Sequence, residues 1–159
     1  MSLSKERVCE LFEYRDGQLI RKITVASNGR AGDVAGTLNK DGYIQVSVDK
    51  RIYRAHRLIF LMHHGYMPKL VDHKDRDRRN NRIENLRAAS SIQNGYNKSM
   101  QVTNSSGYKG VSYCKRTGKW QANISVNGKI KFLGRFDFAD IAHLAYEMAA
   151  ADYHGEFAS

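Results

Sequence analysis

The sequence predicts an α+β fold: N-terminal hairpins, a strand–loop–strand–helix unit, and a small three-stranded antiparallel sheet packed on one helix. Three observations predict it. Alternating apolar runs flank the turn dipeptides Asp16-Gly17 and Asn127-Gly128. A dense apolar run, Ala55–His64, is closed by Gly65 and by Pro68, the single proline. A stripe of small and aromatic residues with helical spacing runs through residues 140–153. The 159 residues, 42% of them hydrophobic, suffice for one ordinary domain or two compact ones.

In chain order, residues 11–23 read as a hairpin around Asp16-Gly17. Residues 24–42 hold four glycines and are expected to wander. Tyr43 to Val48 and the resumption at Ile52-Tyr53 form a second hairpin, and Ala55–His64 is a buried helix. Leu70-Val71 and Leu86-Arg87 are short strands on either side of a polar loop, and Ser90 or Ser91 caps a helix after them. Met100 to Gly107 has the Ser, Thr and Asn content of a linker. Beyond it, strands at 111–113, 120–126 and 130–132 precede the helix over 140–153. Trp120, Ala122, Ile124 and Val126 share one face of the central strand, opposite Gln121, Asn123 and Ser125. The third strand is expected to put Ile130 and Phe132 on the apolar face and Lys129 and Lys131 on a polar, basic one.

Lys plus Arg number 26 against 16 Asp plus Glu, a formal charge of +10, which points to a polyanionic partner such as nucleic acid. The excess sits in two patches: residues 50–87 hold eleven Lys or Arg against four acids, and residues 105–135 hold seven and no acid. Cys9 and Cys114 stand far apart, which excludes a disulfide framework or a Cys-x-x-Cys zinc site. No stretch approaches the ~20 apolar residues of a membrane span, and the polar start lacks a signal-peptide core. The expected setting is the cytoplasm of a bacterial or phage-infected cell.

The segment 71–98 is the most polar and the least explained by packing. Asp72-His73 follows one short strand, Asn85 precedes the other, and Asn94 and Asn97 are one helical turn apart. This suits metal-assisted hydrolysis of a phosphodiester. A hard cation takes the Asp72 carboxylate and an Asn94 amide oxygen and keeps positions for water and phosphate, and His73 can take the proton of the attacking water.

With those residues in place, YRAHRLIF, VDHKDRDRRNNRIENLR and IQNGYN over 53–98 resemble the HNH endonuclease family, in the subgroup found among phage and intron-encoded homing endonucleases. GYIQVSV and DGQLIRK are similar to that subgroup's N-terminal hairpins. The run YKGVSYCKRTGKWQANISVNGKIKFLGRF and its following helix resemble the plant APETALA and ethylene-response-factor DNA-binding domain. The first resemblance implies a ββα-metal module with His73 as general base. Asp72 and Asn94 would hold one divalent metal, usually Mg2+, with Asn97 the alternative to Asn94. Asn85 would stiffen the loop that positions His73.

The second resemblance implies a sheet docked in the DNA major groove. The DNA contacts expected on it are Lys109, Ser112, Cys114, Arg116, Asn123, Ser125, Lys129 and Lys131, joined by Arg76, Arg78 and Arg79 of the polar loop. Arginine contacts to guanine are expected to be lost from the sheet face, and stacking aromatics are not evident on it, which disfavours an RNA partner. The expected organisation is a hairpin region over 1–52, the nuclease module over 53–100, a linker over 101–107 and the DNA-binding domain over 108–159. The expected function is a metal-dependent, site-directed endonuclease acting on double-stranded DNA, a monomer that nicks or a homodimer. The competing class is a non-catalytic DNA-binding regulator.

Overall fold

The computed structural model describes residues 3–25, 29–98, 100 and 103–158. The chain divides into two compact units, Met1–Ala89 and Ser90–Ser159. No helix among the described residues is long and apolar enough to cross a membrane.

The N-terminal unit opens on a helix that the sequence reading did not anticipate, α1 (Lys5–Leu11), whose N-cap Ser4 side chain accepts a hydrogen bond from the Arg7 amide. The antiparallel hairpin β1 (Phe12–Arg15) and β2 (Gln18–Arg21) follows. Its turn residues Asp16 and Gly17 both have positive φ, at 48° and 83°, the geometry that matches the twist of a two-residue hairpin. The glycine-rich stretch is less irregular than expected, because β3 (Thr37–Leu38) pairs with β4 (Ile44–Val48), which pairs in turn with β5 (Arg51–Arg54). Helix α2 covers Ala55–His64 as expected and stops at Gly65, which adopts the left-handed conformation. Val8, Leu19, Val46, Leu58 and Ile59 form the fully buried centre of this unit, and Leu86 closes it from the next hairpin. That hairpin is β6 (Leu70–His73) against β7 (Leu86–Ala89), with Asp72 directly opposite Arg87 and His73 opposite Leu86.

The C-terminal unit begins with α3 (Ser91–Tyr96), started by a capping box in which Ser90 and Gln93 satisfy each other's backbone amides. The unit boundary therefore falls before this helix, whereas the sequence reading placed it with the nuclease module. Positions 101 and 102 of the expected linker lie outside the described residues. Its remainder is tied down: Asn104 Oδ1 accepts from the Ser106 amide, and Ser106 Oγ donates to the Val111 carbonyl.

Strands β8 (Val111–Cys114), β9 (Lys119–Val126) and β10 (Lys129–Phe136) form a three-stranded antiparallel sheet with β9 central, and α4 (Ala139–His154) packs on it. Ala142, Tyr146, Ala149 and Ala150 of α4 are buried with Ile124, Ala122 and Val111. Gly110 has φ 75°, and a Cβ there would run into the Tyr146 ring, so this close approach of backbone to helix requires glycine.

Candidate active site and nucleic-acid interface

The β6–β7 hairpin sets the first group of functional side chains. Residues directly opposite in an antiparallel pair have side chains within reach of each other, and here this brings Arg87 onto Asp72. Both Nε and Nη2 of Arg87 donate to Asp72 Oδ2, at 3.0 and 2.9 Å, and both side chains are more than nine-tenths buried. His73 follows on the same strand, 5% exposed. Its Nε2 lies 2.9 Å from Asn81 Oδ1. An amide oxygen only accepts, so in the neutral ring Nε2 carries the proton.

A second imidazole stands against the first. His56, from the first turn of α2, meets His73 edge to face with ring centroids 4.7 Å apart. Burial pushes its pKa down to about 3, reinforced by the charges of His73, Arg54 and Arg57. Tyr43 completes the cluster, with its ring 5.4 Å from His56 and 6.2 Å from His73. The Arg54 and Arg78 guanidiniums lie 4.0 and 5.0 Å from the Tyr43 centroid.

Asn85 fixes the loop between the strands. Its Nδ2 donates to Asp75 Oδ1 and to the Asn80 carbonyl, at 2.9 and 2.8 Å, while its Oδ1 accepts from the Asp75 amide. Burial pushes the Asp75 carboxyl up, but hydrogen bonds from Asn80, Asn85 and the Asp77 amide outweigh it and hold the pKa below the ordinary value. Arg76, Arg78 and Arg79 are exposed on this loop; Arg78 donates to the Asp41 carbonyl and Arg79 lies 3.8 Å from Asp77.

Among the described residues, no group of three or more His, Cys, Asp or Glu forms a metal site. The Asp72 carboxylate is a hard-oxygen donor of the kind that Mg2+ takes while keeping several waters. Asn94 is half-buried within α3 and Asn97, its C-cap, is buried; both belong to the C-terminal unit.

The second interface is the sheet face turned away from α4. Ser112 pairs with Gln121, and Cys114 with Lys119, on the side opposite the buried Ala122 and Ile124. The third strand departs from expectation. Its register sets Ile130 opposite Ser125 and Phe132 opposite Asn123, so these two stand on the outer face, 78% and 54% exposed. Lys129 and Lys131 pair with Val126 and Ile124 and lie on the helix side, where Lys131 Nζ donates to the Tyr153 hydroxyl at 2.8 Å. A register shift between Phe132 and Gly134 then brings Arg135 opposite Gln121, on the outer face.

The face therefore does carry an aromatic and an arginine, with the Arg135 guanidinium 5.3 Å from the Phe132 ring centroid. Arg116 is exposed in the β8–β9 turn, while Lys109 is committed to a hydrogen bond with the Tyr96 carbonyl. Sequence reasoning missed Asn81, Tyr43, Arg87, Phe132 and Arg135. For the last two a signal was present: a two-residue Asn-Gly turn makes Val126 and Lys129 partners, and partners share a face.

Comparison with known proteins bears on both interfaces. Residues 53–96 match the HNH endonuclease family model. An uncharacterized HNH endonuclease of Acanthamoeba polyphaga mimivirus is 34% identical over 125 residues, spanning 77% of this chain and 64% of that protein. The AP2-like ethylene-responsive transcription factor TOE2 of Arabidopsis thaliana is 45% identical over 51 residues, which are 32% of this chain and only 10% of the plant protein. The solved structure of the HNH homing endonuclease I-HmuI aligns over 87% of this chain and 82% of its own, with 20% identity and a TM-score of 0.42. Residues 53–96, which contain Asp72, His73 and Asn85, therefore carry the chain's likeness to HNH endonucleases.

Proposed function

We propose that the chain is a metal-dependent, site-directed endonuclease that hydrolyses phosphodiester bonds of double-stranded DNA and nicks as a monomer. The observation that carries this reading is the placement of Asp72 and His73 side by side on β6 inside the HNH domain, with the His73 ring gripped by Asn81. Water attacks the phosphorus, His73 accepts its proton, and the bond to the leaving sugar oxygen breaks. Asp72, with Asn94 or Asn97, holds a divalent cation, which when bound supplies charge neutralisation at the phosphate. Asn85 and Asn81 keep the loop and the imidazole in place. Arg76, Arg78 and Arg79 meet backbone phosphates, which position the protein without reading sequence.

The C-terminal sheet docks in the major groove through Ser112, Cys114, Asn123 and Ser125, with Arg116 and Arg135 as its cations. The 45% identity to a plant transcription factor over 51 residues supports this role for the sheet. Supercoiled plasmid incubated with the protein and Mg2+ is expected to convert to the nicked circle, and chelation with EDTA to stop conversion while DNA binding persists. Binding without conversion at any Mg2+ concentration would leave a non-catalytic DNA-binding regulator.

A further inference from the structure

The residue that closes α3, Tyr96, does more than fill space. It is buried, and three elements of the C-terminal unit hold it. Its ring stacks on the His154 imidazole at the end of α4, with centroids 3.7 Å apart and planes 11° from parallel. Its hydroxyl accepts from the Asn127 amide in the β9–β10 turn, and its carbonyl accepts from Lys109 Nζ ahead of β8, each at 2.8 Å. His154 is itself fixed, since its Nε2 donates to the Ser125 carbonyl at 2.8 Å. A six-residue helix is too short to persist on its own. Its capping box starts it, and Tyr96 is where it is fastened.

We propose that Tyr96 is a positioning residue that makes the sheet-and-helix unit the support of the metal-ligand asparagines. The inference rests on the reading of Asn94 or Asn97 as a ligand. Helix α3 and the three-stranded sheet lie in the same compact unit, so loosening the grip on α3 alters the metal requirement.

The test uses the full chain with Tyr96→Leu, which keeps a buried apolar side chain but removes the stack and the hydroxyl, and Tyr96→Phe, which removes only the hydroxyl. Three quantities are read: amide hydrogen exchange over residues 91–98, the Mg2+ concentration for half-maximal nicking, and DNA affinity in EDTA. Tyr96→Leu is expected to speed exchange in α3 and to raise the Mg2+ requirement about tenfold or more, as loss of a supporting partner behind a metal ligand does. DNA affinity in EDTA should stay near wild type, and Tyr96→Phe should recover most of both losses. Should Tyr96→Leu fail to fold by circular dichroism, Lys109→Met, which frees the Tyr96 carbonyl from its cation, is expected to speed exchange in α3 and raise the Mg2+ requirement in the same direction. Unchanged exchange or an unchanged Mg2+ requirement in the folded variant overturns the proposal. Asn94→Ala and Asn97→Ala separate the two levels. If neither moves the Mg2+ requirement, the ligand reading fails and the positioning role falls with it; if one does and Tyr96→Leu does not, only the positioning role fails.

Discussion

His73 Nε2 and Asn81 Oδ1 lie 2.9 Å apart in buried surroundings, eight positions from one another in the chain. The contact orients a ring that His56 and Tyr43 already pack, and it selects the protonated nitrogen. Asn81→Ala should therefore lower the nicking rate without changing DNA affinity, with a loss smaller than that of removing His73 itself. Asn81→Asp, whose carboxylate still accepts from Nε2–H, should lose less. Steady-state nicking rates and binding isotherms for the two variants check this.

Arg87 and Asp72 form a buried pair, so removing one partner leaves an uncompensated charge. Arg87→Met should lower stability by about 3–5 kcal/mol, read from denaturant unfolding, and pairing it with Asp72→Leu should return much of that loss. Asp72→Asn should also lose stability by leaving Arg87 uncompensated, and in the folded protein should raise the Mg2+ concentration for half activity, because a charged oxygen ligand becomes neutral. Only one of Asn94→Ala and Asn97→Ala should repeat that shift, and its identity names the second ligand.

The depressed pKa of His56, about 3, makes stability depend on pH in a defined direction. The unfolded chain protonates this residue from about pH 6.5 downward while the folded chain does not until near pH 3. Its stabilisation is complete above pH 6.5 and is lost progressively as pH falls through that window. His56→Phe should flatten the fall in melting temperature between pH 7 and pH 4; equal slopes for the two proteins would contradict the assignment.

On the sheet, Arg116 and Arg135 are exposed cations, whereas Lys131 is bonded to Tyr153 on the helix side. Replacing both arginines by glutamine should reduce the magnitude of the log–log salt slope of DNA binding by about 2, at roughly 0.9 for each phosphate no longer neutralised. Lys131→Gln should change the slope less. Anisotropy titrations across a range of salt concentrations measure both.

Much of this was legible in the sequence where one local rule dominates. Ala55–His64 and its Gly65 stop, the Asp16-Gly17 and Asn127-Gly128 turns, and the strand–loop–strand–helix order around Asp72-His73 all follow from periodicity and turn chemistry. Helix α1 was not, because its seven residues carry few apolar positions and its start depends on a single Ser4 cap. On β10, alternation of apolar and charged residues by itself points Ile130 and Phe132 inward. The hairpin register overrides that preference and leaves Ile130 and Phe132 in solvent. The role of Asn85 in clamping its loop could be expected from the family resemblance, whereas Asn81 and Tyr43 could not. Tyr43 reaches His73 from a different hairpin, and nothing local marks such a contact.

The most direct test of the account is the nicking of supercoiled plasmid by His73→Ala in Mg2+, with DNA affinity measured on the same preparation. Loss of a general base should slow nicking by ~100-fold or more while affinity stays within a few-fold of wild type. Nicking at the wild-type rate by a folded His73→Ala protein would contradict it.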